Sequence, residues 1–224
     1  MRASSSAIVA GAVLTKFMRK LYHSYLSPYA RRVLIVLLEK GLEHQREKHM
    51  FAREFSKLAS INPCLLLPVF VDGETRLWGS NLIMEYLLKT YPDIAPGSPK
   101  PPLAAAMTRP DHHFDDARIL ATLETMTDSI MNLRQMKMSG VEADQVAYLR
   151  RQRDRIDLCL DWLEGNATTD GFAPGEFSIM DLNLICALGN VDNHKTFEWR
   201  GRLALEAIVA RYAERPSVKS TSRE

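Results

Sequence analysis

Cysteine is scarce in this chain. There are three among 224 residues, Cys64, Cys159 and Cys186, odd in number and far apart. No CxxC pair and no Cys/His ligand spacing occurs, so neither a disulfide framework nor a zinc site is supported, and a reducing, cytoplasmic setting fits best. An excess of one charge is missing too. Lys+Arg number 29 and Asp+Glu 27, a formal +2. That balance, with no basic run interleaved with aromatics, removes the electrostatic footprint of a nucleic-acid partner. No stretch approaches the ~20 apolar residues of a membrane span. No G-x-S-x-G turn is present, which argues against a hydrolase-type serine nucleophile. His112-His113 has no third ligand spaced for a metal.

What is there belongs to an ordinary globular protein: 46% hydrophobic and 25% charged residues, in a length that suits one large domain or two small ones. "MRASSSAIVAGAVLTKF" at the start has a lone Arg2 and an apolar run from Ala7 to Leu14. A weak signal peptide is one reading. The missing A-x-A cleavage site favours the other, an extension over 1–17 with Met18 as a second possible start.

Periodicity then alternates. "KLYHS" is a short strand candidate. After Pro28, Val33, Leu34, Leu37 and Leu38 form one apolar face of a helix that Gly41 closes. "LEHQREKHM" suits an edge strand, and "REFSKLASINP" a short helix stopped at Asn62-Pro63. Two β-rich runs flank Asp72-Gly73, a strong hairpin signal. "NLIMEYLLKTYP" returns to helical spacing. The order is α/β with a terminal hairpin.

"YPDIAPGSPKPPLAAAMTRP" is too rich in proline for a regular element and reads as an interdomain linker. Everything beyond is helical. A long helix runs through "DHHFDDARILATLETMTDSIMNLRQMKM". Its Met126, Met131, Met136 and Met138 read as packing residues, some able to line an apolar cleft. Ser139 to Glu142 has the S-x-x-E form of a capping box opening the next helix, which Gly165 ends. Ser178 to Asp181 repeats the idea as S-x-x-D. A last helix covers about 198–212, and "RPSVKSTSRE" reads as a loose tail.

Three junctions carry chemistry. Ser27-Pro28 has the form of an N-cap followed by proline in the first turn. The plain reading is a cap. The chemical reading is a hydroxyl at a helix N-terminus, where negative charge is favoured, donating to a bound thiolate. Pro68 inside "LLLPVF" marks either an edge strand or a cis Leu67-Pro68 bond that presents the Leu67 backbone to a peptide-like ligand. Ser80 precedes a helix, either as its cap or, with the N–H of Asn81, as a carboxylate holder. Arg31 and Arg32 read as surface residues of the first helix.

The order of these features resembles the soluble glutathione transferases. The resemblance rests on "LYHSYLSPYARRVLIVLLEKGL", then "NPCLLLPVFVDGETRLWGSNLIMEYL", the proline-rich linker, the Ser178–Asp181 box and the closing "RYAERPSVKST". It covers about Arg19 to the C-terminus and looks most like a bacterial branch. It implies a thioredoxin-like domain over 18–95 followed by an all-α domain over 96–224. It implies glutathione as co-substrate with no other cofactor, a small, largely apolar electrophile bound between the domains, and a homodimer. Ser27 matches the position facing the glutathione sulfur. Leu67, before cis Pro68, matches the residue whose backbone pairs with the cysteinyl part. Ser80, with Asn81 following, matches the holder of the γ-glutamyl carboxylate. Ser178 and Asp181 are implied to be structural. Gly79 departs from the Glu, Gln or Asp that members carry for the γ-glutamyl amino group. Leu65 and Leu66 stand where a Lys or His often faces the glycyl carboxylate. Those two losses keep open an alternative, a binding or regulatory protein that retains the fold without the chemistry.

Overall fold

The computed structural model describes residues 19–24, 27–48, 55–93 and 95–222. The readings of the N-terminal extension fall outside them. The first half is built from β1 (Arg19–His23), α1 (Pro28–Glu39), β2 (His44–Lys48), α2 (Phe55–Ile61), β3 (Val69–Asp72), β4 (Thr75–Trp78) and α3 (Ser80–Thr90). The strands make one sheet in the order β2-β1-β3-β4, with β1 parallel to β2 and antiparallel to β3. This is the thioredoxin-like arrangement expected. The hairpin β3–β4 turns over Gly73-Glu74, with Asp72 paired to Thr75. Pro68 lies just ahead of β3, an inner strand, so the edge-strand reading is wrong. Because Pro68 precedes the ladder, its missing N–H costs the sheet nothing.

Helix α1 is buried nearly all round. Val33, Ile35, Val36 and Leu37 are each 0% exposed, since the helix packs against α3 on one side and against the second half on the other. Its end is a Schellman motif: the N–H of Leu42 donates to the Leu37 carbonyl, and that of Gly41 to Leu38, both at 3.0 Å. Gly41 has φ 61, and an added Cβ would come 2.9 Å from that of Ala95, so the position suits glycine twice over.

Among the described residues from 91 to 109 no helix or strand forms. The second half is helical: α4 (His113–Met138), α5 (Ala147–Asn166), α6 (Ile179–His194), α7 (Leu203–Tyr212) and α8 (Pro216–Ser220). Helix α6 is its centre, with Leu182, Leu184, Ile185, Cys186 and Leu188 no more than 3% exposed. One hydrophobic core runs unbroken from Leu21 and Phe70 through α1 into α4 and α6. The methionines of α4 divide: Met126 is 0% exposed, whereas Met136 and Met138 are 42% and 74% exposed.

Ser178 and Asp181 form a reciprocal capping box. Ser178 Oγ accepts from the Asp181 N–H at 3.0 Å, and Asp181 accepts from the Ser178 N–H at 3.1 Å. A further N–H from Phe172, at 3.0 Å, fixes the preceding loop to the same carboxylate. Burial pushes the Asp181 carboxyl up to about 6, against those bonds.

Three expectations need correction. The box at Ser139–Glu142 is displaced: Glu142 caps a short 3-10 turn (Ala143–Gln145) with Gln145 as its partner, and Ser139 donates back to the Gln135 carbonyl at 3.0 Å. The final long helix begins at Leu203, not near 198. The tail is not loose: α8 is docked, with Ser217 and Val218 6% and 3% exposed.

Candidate functional site

The register of the sheet gathers the three junctions. Tyr22 pairs with Val69, and Val69 with Trp78. The end of β1, the start of β3 and the end of β4 therefore share one edge. Ser27, Leu67-Pro68 and Ser80 leave the sheet there.

Ser27 is the N-cap of α1, with φ −97 and ψ 116, and its Oγ accepts from the Ala30 N–H at 3.2 Å. The cap uses an oxygen lone pair. The hydroxyl proton is still available to donate, so capping and thiolate stabilisation are compatible in one side chain. Leu67-Pro68 is a cis peptide bond. Its loop is shaped by Asn62, which is 0% exposed: Asn62 Nδ2 donates to the Leu66 carbonyl at 2.7 Å and Oδ1 accepts from the Cys64 N–H at 2.8 Å. Leu65 has φ 55 and the Leu66 side chain is 61% exposed, so an apolar group occupies this rim.

Ser80 is not a cap. Helix α3 begins with Ser80 itself, after Gly79 at φ 86 and without a side-chain cap. Ser80 is 4% exposed, and its Oγ accepts from Arg32 Nε at 2.9 Å and from Nη2. Arg32 is accordingly no surface residue: it is 3% exposed. Its guanidinium also bonds Glu124 of α4, Nη1 to Oε2 at 2.8 Å and Nη2 to Oε1 at 3.0 Å, and the Asn183 Oδ1 of α6. Asn81 Nδ2 lies 3.5 Å from Glu124 Oε2. Arg31 is half-buried as well, donating to the Thr221 hydroxyl at 3.3 Å and the Val218 carbonyl at 3.2 Å.

Tyr29, in the first turn of α1, donates its hydroxyl to Asp128 of α4. Burial, reinforced by that carboxylate, pushes its ionisation up. Burial pushes the His23 imidazole down to about 4, helped by Arg46, His44 and Lys48, so at neutral pH it carries no charge at the end of β1. Among the described residues no group of three or more His, Cys, Asp or Glu is placed to hold a metal, and no helix is long and apolar enough to cross a membrane.

Arg32, Glu124 and Asn183 were not foreseen. One signal was readable: "VLIVLL" after Arg32 leaves the helix no polar side, so a neighbouring arginine must find its partners inside.

A thioredoxin-like sheet whose βα junctions face an all-helical partner defines the glutathione-transferase fold. Residues 21–100 match the family model described as glutathione S-transferase, N-terminal domain. The chain is similar to the uncharacterized GST-like protein YibF of Escherichia coli, 28% identical over 76% of this chain and 80% of that one. It is also similar to the stringent starvation protein A homolog of Pasteurella multocida, 28% identical over 84% and 82%. In structure it resembles a glutathione S-transferase of Methylobacterium radiotolerans in complex with glutathione sulfonate, with TM-score 0.74 and 24% identity over 92% of this chain and 94% of that one. A glutathione S-transferase of Methylobacillus flagellatus with glutathione bound gives TM-score 0.74 and 23% identity over 91% and 98%. Residues 21–100 thus match the N-terminal domain of the glutathione transferases, and the chain as a whole has their fold.

Proposed function

We propose that this protein is a glutathione transferase that binds glutathione at the sheet edge and activates its thiol at Ser27. The observation that carries the reading is the Ser27 cap, a hydroxyl at the N-terminus of a twelve-residue helix with its proton free to donate. A charge-assisted hydrogen bond contributes about 1.5–3 kcal/mol. That lowers a thiol pKa by on the order of 1–2 units. From a starting value of ~8.5, much of the thiol is then ionised at neutral pH. The thiol proton passes to solvent. The thiolate attacks an electrophilic carbon of a small substrate held between the halves, a carbon–sulfur bond forms, and the leaving group departs with its electron pair. Leu67 pairs through its backbone with the cysteinyl unit, and Ser80 holds the γ-glutamyl carboxylate.

A second reading, a binding or regulatory protein without the chemistry, is favoured by the apolar rim at Leu65 and Leu66 and the bare Gly79. Calorimetric titration with reduced glutathione, beside conjugation of an activated aryl halide, separates the two. Micromolar to low-millimolar binding is expected, with Ser27→Ala cutting conjugation by about tenfold or more while the fold persists. No binding by folded protein favours the second reading; an unchanged rate in Ser27→Ala removes that hydroxyl from the mechanism.

A further inference from the structure

Resting on that reading of the chemistry, we propose that Asp128 of α4 is a specificity-determining residue, a fixed negative charge beside the Ser27 end of α1 that admits neutral and cationic electrophiles and turns away anionic ones. Two contacts place it. Tyr29, two residues after Ser27, donates its hydroxyl to Asp128. Arg32, about one turn further along α1, bonds Glu124, about one turn earlier on α4. The two helices therefore run in opposite senses where they meet. Helix α4 continues ten residues past Asp128, to Met138, a length of about 15 Å. That length carries it past the N-terminus of α1, over the space in front of Ser27. Met131, half-buried, and Gln135, exposed, follow Asp128 at the spacing of one helix face. An electrophile in reach of a thiolate at Ser27 lies against this part of α4, with Asp128 at its inner end.

The two carboxylates that α4 turns toward α1 differ in what meets them. Glu124 faces the Arg32 guanidinium, a full positive charge. Asp128 faces a phenol. Burial, and then Asp128 itself, push the ionisation of Tyr29 up, so this partner stays neutral and donates without cancelling the charge. The phenol fixes where the carboxylate sits and spends one of its lone pairs. Among the described residues no cation pairs with Asp128. The charged neighbours do not offset it either: the guanidinium of Arg32 is engaged with Ser80, Glu124 and Asn183, and His23 carries no charge at neutral pH. Asp128 is exposed, so water screens it in part. Two like charges about 6 Å apart, in surroundings half protein and half water, still repel by enough to change a rate about tenfold. Selectivity then comes from what the cleft repels, with no contact specific to the favoured substrate.

The test is conjugation of glutathione by the full chain to three activated aryl halides of one type: one neutral, one bearing a carboxylate and one a quaternary ammonium group. Each kcat/KM is divided by the rate constant of the uncatalysed reaction with glutathione at the same pH and ionic strength, which removes the repulsion due to glutathione itself. Wild type is expected to favour the neutral halide over the carboxylate by about tenfold, and to take the ammonium halide at least as well as the neutral one. Asp128→Asn should bring the carboxylate within about threefold of the neutral halide, a change of ratio that a merely structural role would not produce. A salt series on wild type needs no variant: the discrimination should shrink between about 0.02 M and about 0.5 M salt. Wild type that treats the neutral and carboxylate halides alike overturns the proposal, as does folded Asp128→Asn with the wild-type ratio. Discrimination that salt leaves unchanged reflects shape and overturns it too. Wild type that conjugates none of the three ends this inference and the transferase reading together; conjugation without charge discrimination ends this inference alone.

Discussion

Among the described residues, two arginine–glutamate pairs cross from the first half of the molecule to the second, and they differ in one respect. Arg215–Glu39 is closed on both sides, its side chains 3% and 2% exposed. Nε and Nη2 of Arg215 reach Glu39 at 2.8 and 2.6 Å, Nη1 donates to the Pro101 carbonyl at 2.7 Å, and Ser217 adds its hydroxyl to Glu39. The guanidinium lies 4.5 Å from the Phe177 ring centre. In Arg32–Glu124 the arginine is equally buried at 3%, but the carboxylate is 33% exposed. A pair satisfied entirely from within has nothing to offer a ligand. Its whole effect is to hold α8 and the linker to α1. A pair whose carboxylate is partly exposed holds structure with one side and meets solvent with the other.

The largest effect expected from this contrast is on the closed pair. Arg215→Met leaves the Glu39 carboxylate buried without a cation, a change that costs about 3–5 kcal/mol. Urea unfolding should show it as a large fall in midpoint. Replacing both partners by apolar residues should restore most of the loss, because the desolvation cost goes with the charges. A single variant within about 1 kcal/mol of wild type, the range of a surface pair, would break the comparison.

His23 sharpens it from another side. This imidazole is 3% exposed on β1, and the charges that act on it, from Arg46, His44 and Lys48, are cationic. Burial with no net anionic help selects the neutral form, at about 4 against 6.5 in the unfolded chain. A depressed histidine contributes stability that is complete above the unfolded pKa and is lost as pH falls through the folded one. Stability should therefore hold above about pH 6.5 and decline toward pH 4, by up to about 3 kcal/mol. Urea midpoints measured between pH 7 and 4.5 test this, and His23→Gln should flatten the slope. A wild-type slope no steeper than that of the variant would show that His23 is charged when folded.

These pairs also mark what sequence alone could and could not reveal. The strand–helix order, the β3–β4 hairpin, the Gly41 terminus and the Ser178–Asp181 box all depend on residues within five positions of one another, where spacing is the physics. Ser27 and Leu67-Pro68 were legible for the same reason: a cap and a proline act locally. Arg32 with Glu124 and Arg215 with Glu39 span 92 and 176 residues, and no period records such a meeting. Helix α8 was missed because five residues show no periodicity; Arg215 and Ser217 on Glu39 and the burial of Val218 hold it. The Ser139 box failed where a rival local bond, to the Gln135 carbonyl, took the hydroxyl.

The smallest stability effect is expected at the open pair, and it decides whether the comparison is right. Glu124→Gln removes a charge but keeps an oxygen that can still accept from Arg32. The guanidinium retains Ser80 and Asn183, both buried, and solvent already reaches the carboxylate side. A loss of about 1–2 kcal/mol should follow in urea unfolding, well below that of Arg215→Met. The reason is that a carboxylate one-third in water had less desolvation to recover, so its attraction for Arg32 was partly screened from the start. A loss as large as that of Arg215→Met would mean that both carboxylates are structural to the same degree. Exposure would then not separate the two pairs.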